Sequence, residues 1–183
     1  SPSISISNSS ISSAISAAND NDIIEVYPGT YKCDISTFNI DNLTIIGIGN
    51  TKPILDSTGC SISNQKATLV PTGNNLVIDN LEFVGASVPD DNGAGIRLEA
   101  TGVSIIKNSI FKNNQMGILT SNVGASEKYL LIDSSEFFGA GSISGSHRGE
   151  GYAHNMYITS VFKFIIQNSY SHDTKYQGQL LKS

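Results

Sequence analysis

Short alternations of apolar and polar residues recur along this chain and end in turn formers such as Asn, Ser, Asp and Gly. A period of two marks a strand with one buried face, whereas a helix would repeat every 3.6 residues. The sharpest unit reads aliphatic, any, Ile, any, Asn or similar, two of any, Phe. It appears as Leu76-Val77-Ile78-Asp79-Asn80-Leu81-Glu82-Phe83 and as Ser104-Ile105-Ile106-Lys107-Asn108-Ser109-Ile110-Phe111. It returns as Leu130-Leu131-Ile132-Asp133-Ser134-Ser135-Glu136-Phe137 and, with Ser at the last place, as residues 164–171. A degenerate early copy is Leu43-Thr44-Ile45-Ile46-Gly47. Between the copies lie second strands at 95–99, 117–120, 155–158 and 179–182.

Strands this short cannot bury a face alone, but repeats stacked in register cover one another. One turn without an inserted loop takes 22 residues, as from Ile96 to Ile118. The repeat therefore predicts an all-β, right-handed parallel β-helix solenoid occupying residues 1–183 as one domain. Ile78, Ile106, Ile132 and Ile166 should stack inside, with Phe83, Phe111 and Phe137 as a second stack. Asn80, Asn108 and Asn168, with Ser134, should form a polar ladder at a turn, their side chains bonding along the stack. An antiparallel sandwich with evenly spaced turns is the alternative, but it does not require one residue type at one place in every repeat.

The two ends differ. Residues 9–18 place Ile11, Ala14, Ile15 and Ala18 at helical spacing, predicting a short N-terminal helix that caps the first coil. At the other end Leu180-Leu181-Lys182-Ser183 reads as mid-strand, so that coil is expected to be uncapped, to continue in a longer polypeptide, or to self-associate.

Composition narrows the function. The 183 residues carry a net charge of −5, and only 15% are charged against 39% hydrophobic. No basic cluster suggests nucleic acid. No apolar run approaches the ~20 residues of a membrane helix. The opening Ser1-Pro2-Ser3-Ile4 is not a signal-peptide pattern and is expected of a processed, secreted or cell-surface form. Cys33 and Cys60 lack metal-site spacing; a bridge between neighbouring coils and two buried thiols are both open. Their 27-residue separation is about one coil with a short insertion, which places them within bridging reach.

The stretch from Ala14 to Tyr31, with Asn42-Leu43-Thr44-Ile45-Ile46-Gly47-Ile48-Gly49 further on, resembles the N-terminal cap and first strands of the pectin-lyase-like superfamily. Residues 154–183 also look like segments of uncharacterised bacterial β-helix proteins. With the repeat, the resemblance covers nearly the whole chain. It implies a polysaccharide partner and, among activities, a polysaccharide lyase, an epimerase or a glycoside hydrolase. The calcium-binding aspartates paired with a strand base of pectate lyases, and the grouped aspartates of polygalacturonases, are not found here. A non-catalytic structural or adhesive β-helix, assembling through its exposed ends, is the rival reading.

Loop lengths point to one corner for chemistry. The long excursions, 84–94 and 138–153, should leave the same corner two coils apart. The first carries Asp90 and Asp91, candidate ligands for a cation, with the cofactor left open and calcium the candidate. The second carries His147, Arg148, Glu150 and Tyr152 and leads to His154. The next coil brings His172, Asp173 and Lys175 to that corner, and Lys112 lies on the coil between the loops. His154 and His172 are the candidate bases, with Glu150 beside them and Arg148 as the carboxylate clamp. His147, Tyr152, Lys112, Lys175 and Asp173 are candidate substrate contacts, and Tyr152, Tyr157, Tyr170 and Tyr176 could stack on sugars in a chain without tryptophan. The plain alternative is that loops gather polar residues anyway and this corner is merely solvated.

Overall fold

A computed structural model describes residues 3–6, 9–141 and 151–183 of the chain. Strand β1 (Ser3–Ile6) is followed by one α-helix, α1 (Ile11–Ala17). The chain then runs through triplets of strands: β2 (Ile23–Val26), β3 (Thr30–Lys32) and β4 (Ser36–Phe38); β5 (Leu43–Gly47), β6 (Ile54–Asp56) and β7 (Ala67–Pro71); β8 (Asn74–Asp79), β9 (Glu82–Val84) and β10 (Ala94–Leu98). It continues with β11 (Thr101–Lys107), β12 (Ile110–Lys112) and β13 (Met116–Thr120); β14 (Lys128–Asp133), β15 (Glu136–Phe138) and β16 (His154–Tyr157); and finally β17 (Lys163–Gln167) and β18 (Tyr170–His172).

Each member of a triplet belongs to a different sheet. Among the described residues, sheet A holds seven strands (β1, β2, β5, β8, β11, β14, β17), sheet B six (β3, β6, β9, β12, β15, β18) and sheet C five (β4, β7, β10, β13, β16). All the pairings are parallel, each strand lying beside its counterpart one circuit on. The parallel pairing of the strands holding Ile106 and Ile132 excludes the antiparallel alternative.

Register puts like over like. Ile45, Ile78, Ile106, Ile132 and Ile166 are successive partners in sheet A. Ile78, Ile106 and Ile132 are fully buried, but Ile166 is 38% exposed. Its register is as expected and its burial is not, because it lies on the last described strand of the sheet. Phe83, Phe111 and Phe137 stack with centroids 4.9 and 4.7 Å apart and planes within 4°. They lie on sheet B, a third strand per circuit that the eight-residue motif conceals. Gly95 and Gly117 face this stack: a β-carbon on Gly95 would come within 3.1 Å of both Phe83 and Phe111.

The corners are set by left-handed residues. Between sheets A and B, Asn80, Asn108, Ser134 and Asn168 have φ of 59°, 52°, 50° and 50°. Asn and Ser tolerate this conformation better than branched residues. The amides do not bond to one another as expected. Asn108 and Asn168 donate to the carboxylates of Asp79 (2.9 Å) and Asp133 (3.1 Å) on the preceding circuit, and Asn80 donates to the Gly47 carbonyl. A true amide ladder stands where sheet A begins: Asn75 donates to Asn42 at 2.8 Å and Asn42 to Asn21 at 3.0 Å. Cys33 and Cys60 are joined in a disulfide, with Cα atoms 5.5 Å apart.

The helix spans Ile11–Ala17 within the expected 9–18, its N-cap Ser10 accepting from Ser13 N–H. Ile11, Ala14 and Ile15 are buried against the same core as Ile24, Val26 and Phe38. One core position breaks the pattern: Ser104 sits between Leu76 and Leu130, fully buried, its hydroxyl without a hydrogen-bond partner.

Two stability measurements follow. Ile132→Ala should cost about 2–5 kcal/mol in denaturant unfolding, as elsewhere in packed cores. Ser104→Ala should raise stability by about 1 kcal/mol, since an unpaired buried hydroxyl is lost and little volume with it; a clear loss would mean that the hydroxyl has a partner.

Candidate functional site

Sheet B ends at one corner in every circuit. Lys32, Asp56, Val84, Lys112, Phe138 and His172 are register partners at the ends of its strands. The excursions after β9 and β15 therefore do leave one corner two circuits apart, as their lengths predict. The residue after each strand end is Cys33, Ser57, Gly85, Asn113, Gly139 or Asp173, and all but Ser57 have positive φ.

Buried amides brace the excursions. Gln115 Oε1 accepts from Val88 N–H (2.8 Å) and Gly93 N–H (2.7 Å), fixing the loop that carries Asp90 and Asp91. Asn114 accepts from Ala86 N–H and donates to the Phe83 carbonyl. Asn155 repeats this pattern on Ala140 and Phe137, and donates also to the His172 carbonyl.

His172 bridges two carboxylates at this corner. Its Nδ1 lies 2.6 Å from Asp173 and its Nε2 2.8 Å from Glu136 on the preceding circuit. Hydrogen bonds to Asp173 and then Glu136 raise its pKa above the usual histidine value, and the same bond holds Asp173 below the usual carboxylate range. The ring is sandwiched between Phe138 (5.0 Å, 14°) and Tyr170 (4.1 Å, 16°), and Tyr170 is 63% exposed. Lys112 pairs with Phe138 on the same outward row.

His154 is in a different situation. It is 2% exposed, and its Nδ1 accepts from Gln179 N–H at 3.0 Å. Burial, then the charge of Lys182, lowers its pKa to about 4, so it is neutral at pH 7. Lys182 itself lies over the Tyr157 ring at 5.1 Å.

The remaining candidates divide. Lys175 and Asp173 are exposed just beyond His172, and Tyr152 is exposed at 53%. His147, Arg148 and Glu150 lie outside the described residues. Asp90 accepts from Asn92 N–H within its own turn, while Asp91 is buried beside Gln115. Among the described residues no three histidine, cysteine or acidic side chains come together to hold a metal ion.

Glu136 and Phe138 were not singled out from the sequence. A signal was present: both flank the inward Phe137, so a period of two turns them to the outer face. Lys128 was also passed over. It is fully buried, donates to the Ser121 (2.6 Å) and Leu98 carbonyls, and burial lowers its pKa to about 8.

Compared with protein-family models the chain matches no family, and compared with curated proteins it matches none. Among the described residues, no helix is long and apolar enough to cross a membrane.

The two histidines should titrate far apart. In an NMR titration His172 is expected to remain an imidazolium above pH 6.5, whereas His154 stays neutral until about pH 4. Because its folded pKa is raised, His172 stabilises the fold below its unfolded pKa, and that contribution fades as pH rises through the folded value. Coincident titration of both rings near pH 6.5 would contradict this geometry.

Proposed function

We propose that this chain is a right-handed parallel β-helix of the pectin-lyase-like kind, exported from the cell, that binds polysaccharide at the corner where sheet B ends. The cyclic passage through three parallel sheets supports the solenoid. The Cys33–Cys60 disulfide suits an oxidising compartment.

The observation that carries the binding reading is the stack of Phe138, His172 and Tyr170, edged by Glu136, Asp173 and Lys112. Aromatic faces receive the C–H faces of sugars, and carboxylates and ammonium groups bond their hydroxyls. Rigid strands present these groups, which lowers the ordering cost of binding.

Recognition fits this geometry better than turnover. Both ring nitrogens of His172 are engaged by carboxylates, so neither is open to take a proton from a substrate. His154 is buried with its Nδ1 occupied.

A second reading, assembly with other copies, rests on sheet A. Its outward row of Val77, Ile105, Leu131 and Ile165 is apolar in four successive circuits. Val103, Tyr129 and Phe162 beside it are 47%, 37% and 65% exposed.

Affinity electrophoresis against neutral and uronic-acid polymers separates the two. Tyr170→Ala should weaken binding about tenfold, roughly 1.4 kcal/mol, with the melting midpoint unmoved. Concentration-dependent sedimentation without retardation by any polymer would replace binding by assembly.

A further inference from the structure

The disulfide lies next to a residue whose side chain hydrogen-bonds the N-terminal helix to the strands behind it. Asp34, adjacent to Cys33, is 8% exposed. Its carboxylate accepts from the backbone N–H groups of Ile11 and Ser12 and from the Ser10 hydroxyl. The first N–H groups of a helix have no partner within it, and here a residue 23 positions away supplies them. The helix in turn covers Ile24, Val26 and Phe38 of the first circuit.

Cys33 is poorly suited to its backbone. Its φ is 52°, at a corner position that Gly85, Asn113, Gly139 and Asp173 fill elsewhere. A side chain with a β-carbon adopts this region at a cost, so something must hold it. Two links do: Cys33 N–H bonds the Asp56 carbonyl at 2.9 Å, and the disulfide joins it to Cys60, itself tied by its N–H to the Ser57 carbonyl. Cys33 is exposed and Cys60 half-buried, within reach of a reductant.

We propose that the Cys33–Cys60 disulfide is a redox latch on the N-terminal cap, acting through Asp34: oxidised, it clamps the helix over the core; reduced, it lets the helix lift while the later circuits stay folded. A dithiol delivers two electrons and two protons to the two sulfurs and becomes a cyclic disulfide. The S–S bond breaks, both cysteines become thiols, and the corner that carries Asp34 loses its tie to the Cys60 turn. The aim of the carboxylate at the helix is then lost. The cap of such a protein locks only where disulfides form, which couples its closure to the oxidising side of a membrane.

Hydrogen exchange of the full chain, with and without excess dithiothreitol, tests this. Reduction should speed exchange at the helical amides of residues 14 and 15 by at least about tenfold, because the helix then opens locally without unfolding of the later circuits. Amides of Ile106 and Ile132 should not change. Asp34→Ala, with the disulfide intact, should reproduce the helix effect in the oxidised protein. Unchanged helical exchange on reduction, equal acceleration everywhere, or an oxidised Asp34→Ala protein with a fully protected helix would each overturn the latch.

Discussion

Parallel register is the constraint on which this molecule depends. Each circuit lays its residues over the same residues of the circuit before, about 4.8 Å away. A shift of one residue would turn the isoleucine and phenylalanine stacks outward together. Burial therefore depends on every circuit meeting its neighbour in step, and insertions are absorbed where a strand has ended.

The corners keep that step. A strand can leave one sheet and enter the next within two residues only if the chain reverses its twist locally, and left-handed residues do this at Asn80, Asn108, Ser134 and Asn168. Side chains then fasten each corner to the circuit before it, as Asn108 does with Asp79 and Asn168 with Asp133. At the corner after sheet B the same geometry is met by glycine, asparagine, aspartate or a bridged cysteine. Register brings Phe138 and His172 together across neighbouring circuits, and Tyr170, two residues before His172 on the same strand, completes the stack.

Much of this was legible in the residues. The isoleucine and phenylalanine ladders, the helix at 9–18, the bridging distance of the cysteines and the shared corner of the two excursions all follow from spacing. Strands β3, β4, β6 and β7 were not legible, because runs of three to five residues are too short to show a period, and β7, buried at every position, does not alternate. The exposure of Ile166 was missed because a repeat says which residues stack but not where stacking stops. At the candidate site, clustering of charge pointed to the corner where sheet B ends but not to the contacts each residue makes there. Burial takes His154 out of contact with solvent, and Glu136 joins His172 only through the register of β15 and β18.

The brace that Gln115 provides has a chemical consequence. Asn92-Gly93 is the dipeptide that ages fastest in proteins, because the glycine nitrogen attacks the asparagine amide, closing a succinimide ring that opens to aspartate or isoaspartate. Here that nitrogen is buried and donates its proton to Gln115 at 2.7 Å. Ring closure would require this bond to break and the loop to leave its seat. The glutamine that shapes the excursion thus also protects it from spontaneous deamidation.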